Sequence, residues 1–377
     1  MDFQLSDDQR AIADMAGSLF GDLCSDERHR AGTAAGETWM ADVWAKCVET
    51  GLHALAIPEA AGGSGLGMTE LMLVLEAQGR ALGMVPLWRH QLAAAALARF
   101  GGDAQRARVA HAVTGECLLS LALDGPADAS GAALAARPDA GGWVLHGQVK
   151  ALPLGMESTA ALVAAATPDG LRLVLIPLNA AGVERVAGVF THGEGVADLH
   201  LDGLRIAATE MLPAAAGEWL ETRAIACLAA LQLGVSSEQL RRTVAYVGER
   251  VQFERPIGSF QAVQMSLADA HMAIEALRAA LWALVYRLDA GLPARPESLA
   301  TRYLACETGH LVGHKAQHVH GGIGVDLSYP IHRYLYWSRA LGLALGGAAA
   351  TLERLGDWLA DNDTLGWKYD LAEHPSL

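Results

Sequence analysis

ERVQFERPIGSFQAVQMSLADAH, Glu249 to His271, lies between long stretches of alanine- and leucine-rich helical texture. Its Pro256-Ile257-Gly258 step interrupts them, because proline has no amide hydrogen to donate and clashes with the preceding turn. Arg250 and Gln261 flank the break, so each sits near a helix end. Taken alone, an arginine there needs only the helix dipole to explain it. Further along lies a second break, QHVHGGIGVDLSYPIHRYLYWSRAL, Gln317 to Leu341, where Gly321, Gly322 and Gly324 open the backbone beside a glutamine and two histidines. Glycine accepts positive φ and lets another group come close to the main chain. A buried turn could use that freedom, and so could a bound phosphate or nucleotide.

Outward from these breaks the chain is helical on both sides. One long helix is expected from about Glu218 to Arg250 and another from about Ser259 to Asp289, closing at Gly291 and Pro293. Two more should flank the glycine-rich stretch. Near the start, Ser6-Asp7-Asp8-Gln9 fits a capping box, and Ile12, Met15, Leu19 and Leu23 recur at helical spacing. Gly62-Gly63-Ser64-Gly65 precedes a helix from about Thr69. It lacks both GxGxxG and a Walker lysine, so it reads mainly as a turn. Between the helical regions the texture changes. In VADLHLDGLRI, Ala197, Leu199 and Leu201 alternate with Asp198, His200 and Asp202, the period of a half-buried strand. TAALVAAATPDGLRLVLIPL reads as two strands joined through Pro168-Asp169-Gly170, and WVLHGQVKAL as another. The expected division is a helical domain over 1–117, a small antiparallel β domain over 118–210 and a helical bundle over 211–377.

The 377 residues suit two or three domains. Lys and Arg number 28 against 42 Asp and Glu, a net charge of −14, which lacks the footprint of a nucleic-acid binder. No run of about 20 apolar residues is present to span a bilayer. MDFQLSDDQR carries acids rather than a basic segment followed by an apolar one, so no secretory signal is expected. The five cysteines lie far apart without CxxC spacing, which fits a reducing cytoplasm.

With both breaks in view, the sequence resembles the acyl-CoA dehydrogenase family of flavoproteins over essentially its whole length. The family's R-x-x-F-G-x-x-I-x-x-F-Q looks like Arg250, Phe253, Ile257, Phe260 and Gln261 in register. Its Q-x-H-G-G-x-G loop looks like Gln317 to Gly324, with one extra residue between Gln317 and the His-Gly-Gly core. The resemblance implies an α-helical domain, a central β domain and a C-terminal four-helix bundle. It also implies that these motifs grip the ADP half of an FAD belonging mainly to a neighbouring subunit. Arg250 would pair with the pyrophosphate, Gln261 and Gln317 would hydrogen-bond the nucleotide, and Gly321 and Gly322 would admit it to the backbone. An arginine fork and unshielded amides suit a phosphate.

The other family motifs are thinner. T-E-P-x-x-G-S-D is matched only at Pro126 and Ser130. K-x-W-I-T, whose threonine faces the flavin, appears as Lys150-Ala151-Leu152-Pro153-Leu154, without hydroxyl or tryptophan. The family's base is a glutamate that removes an α-proton from an acyl thioester, which requires a carboxylate in an apolar pocket. The three positions implied for it hold Ala224, Leu231 before Gly234, and the acid-free Leu345-Gly346-Gly347 segment. Glu221, one turn before Ala224, is a candidate base, although Glu218 and Glu221 equally suit the acid-favouring start of a helix. His310, His314 and His318 share a helix face, and Glu307-Thr-Gly-His310 is one Glu-x-x-His unit. A di-iron bundle needs a second such unit, and none is found, so a solvated histidine face is expected rather than a metal site.

Three functions remain open at this point. The first is a subunit of a heteromeric FAD-dependent acyl-CoA dehydrogenase whose paralogous partner supplies the glutamate. The second is a self-sufficient homo-oligomeric flavoenzyme with an unusual base or a different reaction on an acyl thioester. The third is a non-catalytic stabilising subunit. By the resemblance, an acyl-CoA is the substrate and an electron-transferring flavoprotein the acceptor.

Overall fold

The structure, a computed structural model, describes residues 4–123 and 134–362. Six helices come first: α1 (Asp7–Leu23), α2 (Asp26–Ala35), α3 (Ala41–Glu49), α4 (Met68–Ala81), α5 (Leu87–Phe100) and α6 (Asp103–Val113). Seven strands follow: β1 (Leu119–Ala122), β2 (Ala135–Asp139), β3 (Gly142–Pro153), β4 (Ala160–Thr167), β5 (Gly170–Pro177), β6 (Val183–Val189) and β7 (Gly195–Ala207). The chain then runs through α7 (Ala215–Glu249), a short hairpin β8 (Val251–Gln252) and β9 (Arg255–Pro256), α8 (Gln261–Asp289), α9 (Arg295–His320), α10 (Ile331–Ala344) and α11 (Ala348–Asp361). This is the expected order of helices, sheet and helices.

Mutual contact groups these elements into two compact units. One contains the described residues up to Asp26, Met68–Gly83 and those from Ile225 onward; the other contains Glu27–Gly67 and Met84–Ala224.

In the first unit α1 and α4 join the C-terminal helices. Ser6 and Gln9 form the capping box reciprocally, and the Gln9 side chain goes on to donate to Glu70 at 2.8 Å. α4 crosses α7 with backbone against backbone. A Cβ at Gly79 would lie well under 3.0 Å from the Leu231 carbonyl, and one at Gly234 equally close to the Glu76 carbonyl. Only glycine permits that approach. At its start α4 is capped from a distance: the Asp289 carboxylate, at the end of α8, accepts from the Met68 and Thr69 amides at 2.6 and 3.0 Å and from the Thr69 hydroxyl at 2.7 Å. An anion there satisfies amides that have no helical partner.

In the second unit the sheet runs β1-β4-β2-β3-β7-β6, with β5 on the other edge of β4. The β4–β5 hairpin turns at Pro168-Asp169 as the sequence indicates, and Ala197, Leu199 and Leu201 of β7 point into the core. One expectation is corrected. The sheet is mixed rather than wholly antiparallel, because β1 and the first residue of β2 pair with β4 in parallel. β5 already takes one edge of β4, and the other edge is filled by strands that enter from earlier in the chain. Arg89 of α5 and Glu194, just before β7, form a buried ion pair at 2.6 Å.

Candidate functional site

The two sequence breaks meet at one end of the C-terminal helices. α8 and α9 run antiparallel, and their side chains fix the register. Thr301 donates to the Ala280 carbonyl at 3.2 Å, Thr308 to Ala273 at 3.1 Å, and Lys315 to Asp269 at 2.9 Å. Carried on by one turn, this register sets Gln261, the first residue of α8, beside the end of α9 at His320. The third element arrives through aromatic packing: Tyr246, in the last turn of α7, stacks on His320 with ring centroids 4.3 Å apart. Arg250 follows one turn later, its amide bonded to the Tyr246 carbonyl at 2.8 Å. Burial pushes the pKa of His320 down, and its Nδ1 lies 2.8 Å from the Ala316 carbonyl.

Electrostatically this end of the unit is polar. The start of α8 presents unpaired amides and the positive end of its dipole, whereas α9 ends beside it with the negative end. Arg250 and Gln261 are exposed, and neither side chain has a hydrogen bond or ion pair among the described residues. Gly321, at φ 63°, and Gly322 are exposed, with open space where a Cβ would stand. A free guanidinium and a helix start suit a diphosphate, and the open glycine backbone leaves room for an uncharged group beside it.

Phe253 stands in the turn between β8 and β9, where it and Glu254 take positive φ, 51° and 66°. That primed hairpin geometry normally selects Asn-Gly. Here it holds an aromatic side chain 86% exposed, with Phe260 at 6.1 Å, edge to face. Gln317 departs from expectation. Both its amide atoms are sealed from solvent and unpartnered, and the oxygen packs against Gly324. The helix phase turns this side chain inward and leaves His318 outward.

The remaining candidates lie elsewhere along the chain. Pro126 and Ser130 lie outside the described residues. Leu152 and Leu154 are buried, the latter at φ 48° with its amide on the Gly195 carbonyl at 2.8 Å. All three positions implied for the base are closed. Ala224 is buried, and Leu231 is buried with its carbonyl against Gly79. At Gly346, φ 82°, the space for a side chain is occupied by the Arg302 guanidinium, whose Nε donates to the Leu345 carbonyl. Glu221, on α7, is half-buried and has an interaction partner of its own. His310 and His314 lie 4.4 Å apart on the exposed face of α9, and Arg339 approaches His314 Nε2 at 3.0 Å. Burial, then His310 and Arg339, push the pKa of His314 down. Among the described residues no three His, Cys, Asp or Glu side chains are grouped to hold a metal ion, and no helix is long and apolar enough to cross a membrane.

The helix–sheet–helix order is that of an acyl-CoA dehydrogenase fold. The acyl-CoA dehydrogenase N-terminal domain matches residues 6–116 and the C-terminal domain residues 221–360. The chain belongs to the acyl-CoA dehydrogenase family, FAD-dependent oxidoreductases. Among its relatives is the acyl-CoA dehydrogenase FadE27 of Mycobacterium tuberculosis, 33% identical, with 96% of this chain and 99% of the relative covered. A chain of the ChsE4-ChsE5 complex from the same organism superposes with a TM-score of 0.91 at 34% identity, over 96% of this chain and 100% of that one. A chain from a variant of the Tcur3481-Tcur3483 steroid acyl-CoA dehydrogenase does so with a TM-score of 0.89 at 38% identity, over 95% and 99%.

Proposed function

We propose that this chain is one subunit of a heteromeric FAD-dependent acyl-CoA dehydrogenase. It grips the ADP half of the cofactor, and a paralogous partner supplies the flavin-facing segment and the catalytic glutamate. One contrast supports this reading: Arg250 and Gln261 are exposed and unpartnered beside the open backbone of Gly321 and Gly322, while every position implied for the base is apolar and filled. In the reaction the α-proton of the acyl thioester passes to a carboxylate and a hydride leaves the β-carbon for the cofactor. This chain offers no free carboxylate at the three base positions.

The similarity to chains from two-component assemblies, ChsE4-ChsE5 and Tcur3481-Tcur3483, supports the heteromer. The second of these also favours a steroid-type acyl-CoA as substrate. Exposed apolar side chains support a covering partner: beyond Phe253 and Val251, Met265 and Met272 stand out from the same face of α8, two turns apart. An electron-transferring flavoprotein is the proposed acceptor.

The test is FAD per chain, read from the visible flavin spectrum of the chain expressed alone and with its nearest paralogue. A flavin present only in the co-purified pair, and bleached by an acyl-CoA, is the expected result. A lone chain holding one FAD that an acyl-CoA bleaches would refute the heteromer and return Glu221 as the base of a homo-oligomer. A pair whose flavin content and activity are untouched by Arg250→Ala would leave this chain a stabilising subunit only.

A further inference from the structure

Gln317 and His318 are neighbours in the last turn of α9, so their side chains leave the helix about 100° apart. The structure uses the two directions differently. Gln317 points into the protein, where its amide oxygen packs beneath Gly324, in the space a side chain at that position would enter. Turning it outward would open a void beneath the loop. His318 is exposed, and its ring makes no hydrogen bond or ion pair among the described residues. It sits one turn below Gly321, on the side of the helix that the loop leaves open.

The loop itself is poorly suited to phosphate. The Gly321 amide is already given to the Gln317 and His318 carbonyls, and α9 turns its negative end toward the same space. The unpaired amides at the start of α8 and the Arg250 guanidinium offer the positive charge that the loop lacks. Charge therefore sorts the ligand: the diphosphate belongs at Arg250 and the start of α8, and the uncharged sugar and base belong at Gly321 and Gly322. Resting on the FAD reading above, we propose that His318, rather than Gln317, is the side chain that meets the adenosine half of the nucleotide. An imidazole can donate or accept a hydrogen bond, which suits ribose hydroxyls and adenine nitrogens.

The experiment uses the co-purified assembly, stripped of flavin, with ADP and FAD as probes. Dissociation constants are measured by titration, and the melting temperature is measured without nucleotide. His318→Ala should weaken both ADP and FAD by about tenfold, the scale of one lost hydrogen bond. The nucleotide-free melting temperature should stay unchanged, and His318→Gln should recover most of the affinity. Gln317→Leu should hold ADP within about threefold of the parent, because an inward amide contributes no ligand contact. Unaltered ADP affinity in His318→Ala, or a tenfold loss in Gln317→Leu, would overturn the assignment. Arg250→Ala separates the two levels. If it loses ADP while His318→Ala does not, only the role of His318 falls. If neither variant changes ADP affinity, the nucleotide site itself falls.

Discussion

Acidification should destabilise the sheet-bearing unit through one imidazole. His90, on α5, is fully buried. Its Nδ1 accepts from the Leu119 amide at 3.2 Å and its Nε2 donates to the Ala112 carbonyl at 3.2 Å, so the ring is neutral. Trp44 meets it edge-on with centroids 5.1 Å apart, and the His53 ring lies 6.0 Å away. Burial first, and then His53, push its pKa down from 6.5 to about 3, against the opposing pull of the Ala112 carbonyl. The unfolded chain therefore takes up a proton as the pH drops below 6.5 while the folded chain does not. Stability present above that value is lost progressively down to about pH 3. Linkage at about 1.4 kcal/mol per pH unit puts the loss at about 2 kcal/mol by pH 5 and about 3 kcal/mol by pH 4. The assay is urea unfolding of the parent and of His90→Gln at neutral pH and near pH 5. At neutral pH the variant should be weaker by about 1–3 kcal/mol, because two buried backbone groups lose their partner. Near pH 5 that gap should close by about 2 kcal/mol, since glutamine does not titrate. A gap of the same size at both pH values would refute a neutral, buried His90.

Other perturbations test the packing around the site. Gly234→Ala would gain about 1 kcal/mol from helix propensity alone, but the Glu76 carbonyl stands where the methyl must go. Overpacking of about 1–3 kcal/mol or more should win, giving a lower melting temperature; a higher one would disprove the α4–α7 crossing. Burial alone would raise the pKa of Glu194, yet Arg89 and His192 hold it at about 2. Arg89→Met leaves that buried charge with His192 as its remaining partner and should cost about 3 kcal/mol in chemical denaturation, and a loss under about 1 kcal/mol would count against the pair. Gly346→Ala sets a Cβ on both a positive φ and the Arg302 guanidinium. It should cost about 1–2 kcal/mol or more by urea unfolding, and a neutral variant would show that the turn relaxes freely.

The elements legible in the sequence are those set by neighbours along the chain. The Ser6–Gln9 box, the helix starting at Met68, the turn at Pro168-Asp169 and the alternation in β7 each rest on a few adjacent residues. The parallel pairing of β1 with β4 joins Leu119 to Ala160 and carries no local signal. At the site, Arg250, Gln261, Gly321 and Gly322 could be found from motif spacing. The direction of Gln317 could not, because helix phase is settled by what packs beneath it, here Gly324. His318 was visible only as part of a histidine face shared with His310 and His314. The Phe253-Glu254 turn was equally hidden, since it contains neither glycine nor asparagine. Arg302 filling the space at Gly346 joins residues on α9 and the α10–α11 turn that nothing in the sequence connects.

The cap on α4 has a consequence for synthesis. Thr69 takes its carboxylate from a residue 220 positions later, and the glycine face of the same helix is covered only by residues beyond Ile225. On the ribosome, α1 and α4 emerge with only each other to pack against, long before the helices that cover them exist. These two must wait for the last helices, whereas the sheet-bearing unit has all its own residues once Ala224 has been added. Loop closure of that length is entropically slow. A nascent chain stalled near Ala224 should thus carry a finished sheet beside an orphaned helix, a natural substrate for a chaperone.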